Sequence, residues 1–159
     1  RIILHTGAAA PMLFSKSCEY AIQALLYLAH KEETGQPVLL REISDSLRIP
    51  HHFLNKVLQQ LTRAGILVSL RGVSGGFSFA RPASEITMGE VVKAIDGDHF
   101  LGKCMLGFPG CADDNPCPVH DQWKQAKHII LDIMSTKSIA ELSKEMDGKL
   151  DFIQGVRRT

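Results

Sequence analysis

Apolar residues recur at intervals of three and four between Lys16 and His30, with polar residues between them. This period is typical of an amphipathic helix that buries one face. Gly35 and Pro37 follow and end the helix, because glycine and proline both disfavour its continuation. The apolar positions of this first predicted helix are Tyr20, Ala21, Ala24, Leu25 and Leu28.

Two further apolar stripes lie close together in the chain. Residues 40–47 carry the apolar face of a two-turn helix. Pro50 then opens a longer helix, since proline loses nothing at the first helical position, and this helix runs to Ala64 with Gly65 as its C-terminal cap. A short helix, a tight turn and a longer helix predict a helix-turn-helix. The predicted buried side of the longer helix comprises Phe53, Leu54, Val57, Leu58 and Leu61.

A β-hairpin is predicted directly after the helix-turn-helix. Residues 66–70 and 77–80 are β-prone and flank the glycine-rich sequence 71–76, a composition typical of a hairpin tip. This order of elements predicts a winged helix. The tip is not a nucleotide-binding phosphate loop, because it lacks the Gly-Lys-Ser/Thr ending and no helix follows it directly.

Two capping boxes, Thr87 with Glu90 and Ser138 with Glu141, predict the starts of two shorter helices. Between them the longest helical pattern after the wing runs over residues 119–134. Its predicted apolar side comprises Val119, Trp123, Ala126, Ile130, Ile133 and Met134.

These elements predict a mainly α fold with a small β-hairpin. We interpret residues 1–11 as a leader or vector-derived sequence and Met12 as the native start. The remaining predicted parts are a winged helix-turn-helix domain (12–97), a cysteine-containing loop (98–118), the long helix with a short following helix (119–147) and a tail (148–159).

Composition narrows the class of protein. With 159 residues, 45% of them hydrophobic and 22% charged, the chain can form a packed core and is not broadly disordered. Its apolar runs are far shorter than the roughly 20 residues of a membrane span. No signal peptide precedes the four cysteines, so we expect a cytoplasmic protein whose cysteines serve a metal or redox role.

Charge is unevenly distributed along the chain, although the net charge is only +1. Residues 46–84 contain five basic and no acidic residues, whereas residues 85–159 contain 9 basic and 12 acidic residues. The first half is therefore the candidate for binding a polyanion, although a solvated charged face has the same composition. The outer side of the longer helix carries hydrogen-bond donors that do not repel phosphate, namely His52, Asn55, Lys56, Gln59 and Arg63.

Cys104, Cys111 and Cys117 lie in an irregular stretch of about 20 residues, and His120 follows at the start of the long helix. Such a loop is costly to order unless something organises it, as a metal centre would. The tight Cys pairs of zinc sites and bacterial ferredoxins are absent. The wide spacing suits an iron–sulfur cluster with a non-cysteine fourth ligand, but unliganded thiols or a thiol switch remain open. Cys18 is interpreted as a small helix residue.

Several motifs together resemble one family of regulators. The match begins with Met12-Leu13-Phe14-Ser15-Lys16, Glu19-Tyr20-Ala21, Ile49-Pro50, Phe53-Leu54 and Arg71-Gly72 with Gly75-Gly76-Phe77. It continues with Thr87-Met88-Gly89-Glu90-Val91-Val92 and the three loop cysteines. Over residues 12–147 the chain resembles the iron–sulfur cluster regulator (IscR) and nitric-oxide-sensing repressor (NsrR) family. The resemblance implies a homodimeric winged-helix transcription factor whose long helix, residues 119–134, forms the dimer interface.

The same resemblance implies a set of cluster ligands. Cys104, Cys111 and Cys117 match the three cysteine ligands of the family. Cys117-Pro118-Val119-His120 resembles the Cys-x-x-His ending of the IscR branch, in which the histidine completes a [2Fe–2S] cluster, and we expect His120 to do so here.

An alternative fourth ligand comes from the NsrR branch. There a carboxylate from the first helix of the partner subunit takes the place of the histidine, and Glu19 stands at that position, so a [4Fe–4S] cluster is the alternative. Six residues separate Cys104 from Cys111, whereas the best-known branches have five, and this difference leaves the cluster type open.

The resemblance also implies contacts with an operator in double-stranded DNA. A dimer presents two recognition helices about 34–36 Å apart, from which His52, Asn55, Lys56 and Gln59 can reach base edges or phosphates. Arg71 matches an arginine that enters the minor groove, where narrow segments attract cations. Backbone N–H groups of the wing are predicted to approach phosphate at Ser74, Gly75 and Gly76.

Functions of other classes fit the sequence less well than that of a regulator. No nucleophile–base motif or metalloprotease motif is present, so we predict that the protein is not an enzyme. An iron–sulfur electron carrier would use the same ligands but has no need of the acid-free segment 46–84. An iron-free thiol switch would need the thiols alone.

Overall fold

The computed structural model describes residues 13–32, 35–97 and 101–146. The predicted mainly α fold with a small β-hairpin is confirmed. In chain order the described elements are α1 (Lys16–Lys31), α2 (Leu40–Leu47), α3 (His51–Arg63), β1 (Leu67–Leu70), β2 (Gly76–Phe79), a 3₁₀ helix (Ala83–Glu85), α4 (Met88–Asp96), α5 (His120–Thr136) and α6 (Ile139–Glu145).

Parts of the sequence interpretation lie outside the described residues. They are the leader at 1–11, Met12 as the native start, positions 98–100 of the loop and the tail at 148–159. The proposed division of the chain into domains stays a prediction. None of the described helices is both long enough and apolar enough to cross a membrane.

Helix α1 is central to the core, and α3, α4 and α6 pack around it. Ser15 caps its N-terminus by accepting a hydrogen bond from the Cys18 amide. Both predicted capping boxes are formed, at the starts of α4 and α6. The largest side chains that are fully removed from solvent include Leu25, Ile43, Leu54, Leu58, Leu61, Ile86 and Ile139.

Helices α2 and α3 form the predicted helix-turn-helix. Helix α2 ends at Arg48, whose left-handed φ of 54° turns the chain sharply. The Ser44 hydroxyl donates a hydrogen bond to the Ile49 carbonyl at 2.7 Å and so holds the turn closed. Helix α3 then buries Leu54, Val57, Leu58 and Leu61 against the core.

Phe53 departs from the prediction that it lies on the buried side of α3. Its side chain is 50% exposed and lies beside His52, with ring centroids 4.3 Å apart. The buried stripe of α3 starts at Leu54, and one residue corresponds to a rotation of about 100° around a helix. Phe53 is thereby turned towards solvent, on the side that carries His52.

The wing is an antiparallel hairpin in which Leu70 pairs with Gly76. Val38, which precedes α2, pairs with Phe77 on the other edge of β2: each amide donates to the other's carbonyl, at 2.9 and 2.8 Å. At Gly76, φ is +145° and an added Cβ would lie 2.5 Å from the Val38 carbonyl oxygen. Glycine at this position therefore permits the contact that joins the wing to the helix-turn-helix.

Helix α5 packs mainly on α4 and leaves most of its surface exposed. Met134 is buried with Cys18 and Val92, and Ile130 packs against this small cluster. Ile133, which was predicted on the apolar side of this helix, is exposed because no other element of the described chain covers it. Ile129 (63%) and Ile133 (50%) are exposed on one side of the helix, and Leu131 (48%) is exposed on the opposite side.

We expect Gly76→Ala to lower the free energy of unfolding by about 2–4 kcal/mol, because a side chain there adds a clash to backbone strain. Gly72→Ala is the matched control. At Gly72 φ is +106° but an added Cβ meets open space, so we expect a loss of only about 1 kcal/mol. Urea denaturation measures both values, and equal losses would contradict the role assigned to the Val38 contact.

Candidate metal centre

The loop that carries three cysteines is a series of tight turns rather than an extended coil. The Gly107 amide donates to the Cys104 carbonyl at 3.0 Å, and the His120 amide donates to the Cys117 carbonyl at 3.0 Å. Between these turns, Ala112 and Asn115 exchange two backbone hydrogen bonds of 3.2 and 3.0 Å. The turns reverse the chain repeatedly and bring cysteines distant in sequence to one place.

The three sulfur atoms of this loop converge. The Sγ atoms of Cys104, Cys111 and Cys117 all lie within 4.8 Å of one another, and those of Cys104 and Cys117 are 3.6 Å apart. All three side chains are partly buried and none forms a disulfide. The predicted ligands Cys104, Cys111 and Cys117 therefore form one cluster of metal-binding atoms.

His120 is the first residue of α5 and faces this cluster. Its Nδ1 lies 3.1 Å from the Cys111 Sγ, and its Nε2 lies 2.9 Å from an Asp113 carboxylate oxygen. The ring is only 15% exposed. The same Asp113 oxygen accepts a hydrogen bond from the Lys124 ammonium at 2.8 Å, one turn further along α5.

The thiols of the cluster do not share one pKa. Partial burial raises the pKa of Cys104. Backbone hydrogen bonds at Phe108 and Leu106 and contacts with the other two thiols outweigh this effect and lower the pKa of Cys104 to about 7. The pKa of Cys111 is raised: a backbone hydrogen bond at Cys117 lowers it, but burial and the two neighbouring sulfurs outweigh that effect. One thiolate is therefore available near neutral pH, and thiolate is the form that binds metal.

Asp113 remains ionised at any ordinary pH. Hydrogen bonds from Lys124 and then from His120 lower the pKa of Asp113 to about 2. A fixed negative charge therefore stands on the side of His120 that faces away from the sulfurs.

A second contact holds the loop to α5. The Trp123 indole N–H donates to the Lys103 carbonyl at 2.9 Å, immediately before Cys104 in the chain. His120, Trp123 and Lys124 are spaced by three and four residues and so share one face of the helix. This face contacts both halves of the cysteine loop.

The other two candidate residues lie on α1. Cys18 is fully buried, and desolvation, together with Asp96 and Glu19, raises its pKa to about 12, so its interpretation as a helix residue in the packed core is supported. Glu19 forms an ion pair with Lys16 at 2.6 Å within its own helix. The group of mutually close ligand atoms contains the three cysteines and neither Glu19 nor His120; His120 approaches Cys111, and the role of Glu19 towards a partner subunit stays a prediction.

The converging donors fit a metal centre in kind and in distance. Two thiolates bound at about 2.3 Å to one tetrahedral metal atom lie about 3.8 Å apart, close to the 3.6 Å between Cys104 and Cys117. A thiolate and an imidazole nitrogen on one metal atom lie about 3.5 Å apart, slightly more than the 3.1 Å between Cys111 and His120. Thiolate and imidazole are also the ligands that zinc and iron–sulfur centres use.

The predicted DNA-contacting residues are distributed over α3 and the wing. His52, Asn55, Lys56 and Arg63 are exposed, and Gln59 is half-buried on α3. On the wing, Arg71 and Ser74 are exposed. Their contacts with DNA stay predictions.

Two wing glycines also have structural roles that were not predicted from the sequence. The Gly75 amide donates to the Gly72 carbonyl at 3.0 Å, and an added Cβ on Gly75 would lie 2.4 Å from the Leu70 carbonyl oxygen. The Gly75 N–H already donates a hydrogen bond inside the wing, and its predicted approach to phosphate stays a prediction. Gly76 is required by the approach of Val38 described above.

Sequence reasoning missed the polar support of the metal centre. Asp113, Trp123 and Lys124 were not predicted as site residues. The spacing of His120, Trp123 and Lys124 is a signal for a shared helix face that could have been used. Nothing local in the sequence marks Asp113, because its position depends on the turn between Ala112 and Asn115.

Comparison with known proteins decides the family. The Rrf2 family, described as that of an iron-dependent transcriptional regulator, matches residues 14–145. The chain belongs to the Rrf2 family. The predicted resemblance is thereby confirmed, and as an Rrf2 protein the chain is a transcriptional regulator rather than an enzyme.

Rrf2 relatives match most of the chain. An HTH-type transcriptional regulator of Aquifex aeolicus is 34% identical over 133 residues, which are 82% of this chain and 91% of the relative. The HTH-type transcriptional regulator IscR of Klebsiella pneumoniae is 30% identical over 131 residues, 82% of this chain and 79% of that protein. The solved structure of CymR, the global cysteine regulator of B. subtilis, has a TM-score of 0.71 at 18% identity, covers 85% of this chain and 98% of its own, and supports the fold alone.

The two kinds of cysteine in this Rrf2 protein differ in reactivity. In reduced, metal-free protein we expect iodoacetamide to alkylate Cys104 readily and Cys18 very slowly, because Cys18 is buried and has a pKa of about 12. Since the pKa of Cys104 is about 7, lowering the pH from 8 to 6 should slow its alkylation about tenfold. Peptide mass spectrometry measures both rates. A rate at Cys104 that does not change with pH would contradict this.

Proposed function

We propose that the protein is a homodimeric, DNA-binding transcriptional regulator that senses iron–sulfur status, redox state or nitric oxide. The proposed sensor is a [2Fe–2S] cluster held by Cys104, Cys111, Cys117 and His120. One observation carries the proposal: three sulfur atoms within 4.8 Å of one another, with an imidazole nitrogen beside one of them, in a chain of the Rrf2 family. A reducing cytoplasm, which keeps thiols unpaired, suits this proposal.

The donors can be grouped into two pairs, as a [2Fe–2S] cluster requires, and the approach of the three sulfur atoms within 4.8 Å of one another also suits a single metal ion. Cys104 and Cys117 are close to each other, and Cys111 is close to His120, so the four donors form two pairs. A [2Fe–2S] cluster needs two ligands on each iron, and imidazole replaces thiolate on one iron in some proteins. A single zinc ion held by three thiolates and one imidazole would use the same donors, and metal analysis separates the two.

The residues around the centre provide a connection through α5 by which a change in cluster ligation would alter DNA binding. When bound, the cluster supplies a redox-active centre whose state depends on electrons, nitric oxide and iron supply. His120, Trp123 and Lys124 tie the loop to α5, so a change in the ligation of the cysteines and His120 would act directly on the contacts between the loop and this helix. A coupling of about 1–3 kcal/mol changes operator affinity about 5–150-fold.

The exposed side of α3 and the wing supply the proposed DNA contacts. Asn55 and Gln59 suit adenine edges, and Lys56 suits guanine or phosphate. His52 and Arg63 extend this surface at the two ends of α3. Arg71 is exposed at the base of the wing, where it can enter an adjacent minor groove.

The exposed face of α5 supports the proposed homodimer. Ile129 and Ile133 are four residues apart and therefore lie one above the other on the helix, and both are at least half exposed. Apolar residues concentrated in this way on one helix are typical of an interface. A two-fold pairing of α5 helices would cover them and join two DNA-binding units.

The alternatives use the same residues differently. A [4Fe–4S] nitric-oxide sensor would replace His120 by Glu19 of a partner subunit; the proximity of His120 to Cys111 within one chain supports the histidine. An electron carrier would need the cluster but no DNA, and an iron-free thiol switch would need the cysteines alone.

Two variants should separate the sensor from the DNA-reading surface. We expect Cys117→Ser to abolish visible absorbance and bound iron in protein purified without oxygen, because one metal atom loses a ligand. Arg71→Ala should retain colour and iron but weaken operator binding about tenfold, since it removes one cationic contact. Optical spectra, iron and zinc analysis and gel-shift titrations with fragments of the genomic DNA upstream of the gene measure these effects.

The same measurements separate the alternative functions. Colour without any DNA binding would indicate a carrier, DNA binding without iron would indicate a thiol switch, and zinc without iron would indicate a structural ion. Full retention of colour in Ser variants of all three loop cysteines would overturn the cluster assignment.

Removal of the apolar face of α5 tests the dimer. We expect the double variant Ile129→Glu, Ile133→Glu to sediment at half the wild-type mass, because four charges would be brought together at the interface. Ser135→Glu, at an exposed polar position of the same helix, should leave the mass unchanged. A double variant that is folded by circular dichroism and still dimeric would contradict the proposed interface.

A further inference from the structure

Asp113 bridges two side chains of α5 at the edge of the metal centre. One of its carboxylate oxygens lies 2.9 Å from the His120 Nε2 and 2.8 Å from the Lys124 Nζ. The other ring nitrogen of His120, Nδ1, lies 3.1 Å from the Cys111 Sγ. The imidazole is thus held between a carboxylate on one side and the sulfur cluster on the other.

The backbone of the loop places this carboxylate. Ala112 and Asn115 exchange two backbone hydrogen bonds, and the Asn115 amide group donates to the Gly110 carbonyl at 3.1 Å. Asp113 is the first of the two residues at the corner of this turn. Although its side chain is 75% exposed, its attachment point is fixed by three hydrogen bonds that do not involve the side chain.

A carboxylate at this position selects one form of the imidazole. A neutral imidazole carries one N–H, and an ionised carboxylate can only accept a hydrogen bond. The Nε2 atom beside Asp113 must therefore carry the proton, which leaves a lone pair on Nδ1 directed towards the sulfurs. Carboxylates that accept a hydrogen bond from the far nitrogen of a ligating histidine fix its tautomer and increase its basicity as a ligand.

We propose that Asp113, held by Lys124, is a positioning residue that presents the Nδ1 of His120 to the metal centre. This inference rests on the proposed function for the identity of the centre, but the selection of the tautomer does not depend on a bound metal. Asp113 touches no sulfur in the described contacts and acts through the histidine.

The first test measures the tautomer in the metal-free, reduced full chain. With ¹⁵N-labelled histidine we expect the His120 ring to carry its proton on Nε2 in the wild-type protein. Asp113→Ala should weaken this preference towards the tautomer mixture of a free histidine, whereas Asp114→Ala, which removes the same charge from the neighbouring corner residue, should retain it. A spectrum of His120 that is identical in all three proteins would overturn the proposal.

The second test measures iron retention in anaerobically purified, metal-loaded protein. We expect Asp113→Ala to lose iron to a chelator about 10–100-fold faster than the wild type, and Lys124→Met to fall between the two. Asp113→Ala should also raise the reduction potential, because a negative charge near the centre is removed. Asp114→Ala should match the wild type in iron loss.

The two tests distinguish a wrong positioning role for Asp113 from a wrong cluster assignment. If the wild type binds no iron, the cluster assignment is wrong, while the tautomer measurement still decides the role of Asp113. If the wild type binds a cluster but Asp113→Ala changes neither its iron loss nor the His120 tautomer, the positioning role is wrong and the cluster assignment stands.

Discussion

The structure depends on the attachment of a loop without helix or strand to the first two turns of α5. Three sulfurs can stay within 4.8 Å of one another only if the chain that carries them is held in place, and ordering each residue of such a chain opposes folding by about 1–2 kcal/mol. Turns organise the loop locally. Hydrogen bonds from Trp123 and Lys124, and the contact of His120 with Asp113, hold it against the helix.

The other end of the molecule is organised by backbone pairing. The bridge between Val38 and Phe77 joins the hairpin to the segment before α2, so the wing and the helix-turn-helix form one continuous unit. Gly76 is needed there because an added side chain would clash with the Val38 carbonyl. The elements that carry the proposed DNA contacts are therefore joined by direct backbone hydrogen bonds.

The helices and the cysteine group could be predicted from the sequence because their signals are local: apolar periods, capping residues and an unusual density of thiols. Phe53 was predicted on the buried side of α3 but is exposed, because two adjacent apolar residues do not show which of them faces solvent. The predicted apolar side of α5 includes the buried Met134 and the exposed Ile133, because a period reports an apolar face but not whether this chain covers it. Asp113 could not be predicted, since its contact with His120 depends on a turn whose geometry is set by Asn115 and its neighbours.

Among the described residues, helix α5 packs on the body through Ile130 and Met134, and its first residue His120 lies 14 residues before Met134. At 1.5 Å per residue this is a stiff arm of about 21 Å. A displacement of about 2 Å at the cysteine end would therefore tilt the arm by about 5° around its fixed point. In a two-fold symmetric pair the two arms would tilt in directions related by the axis, so a displacement of about 2 Å at each cysteine loop would change the angle between the two halves.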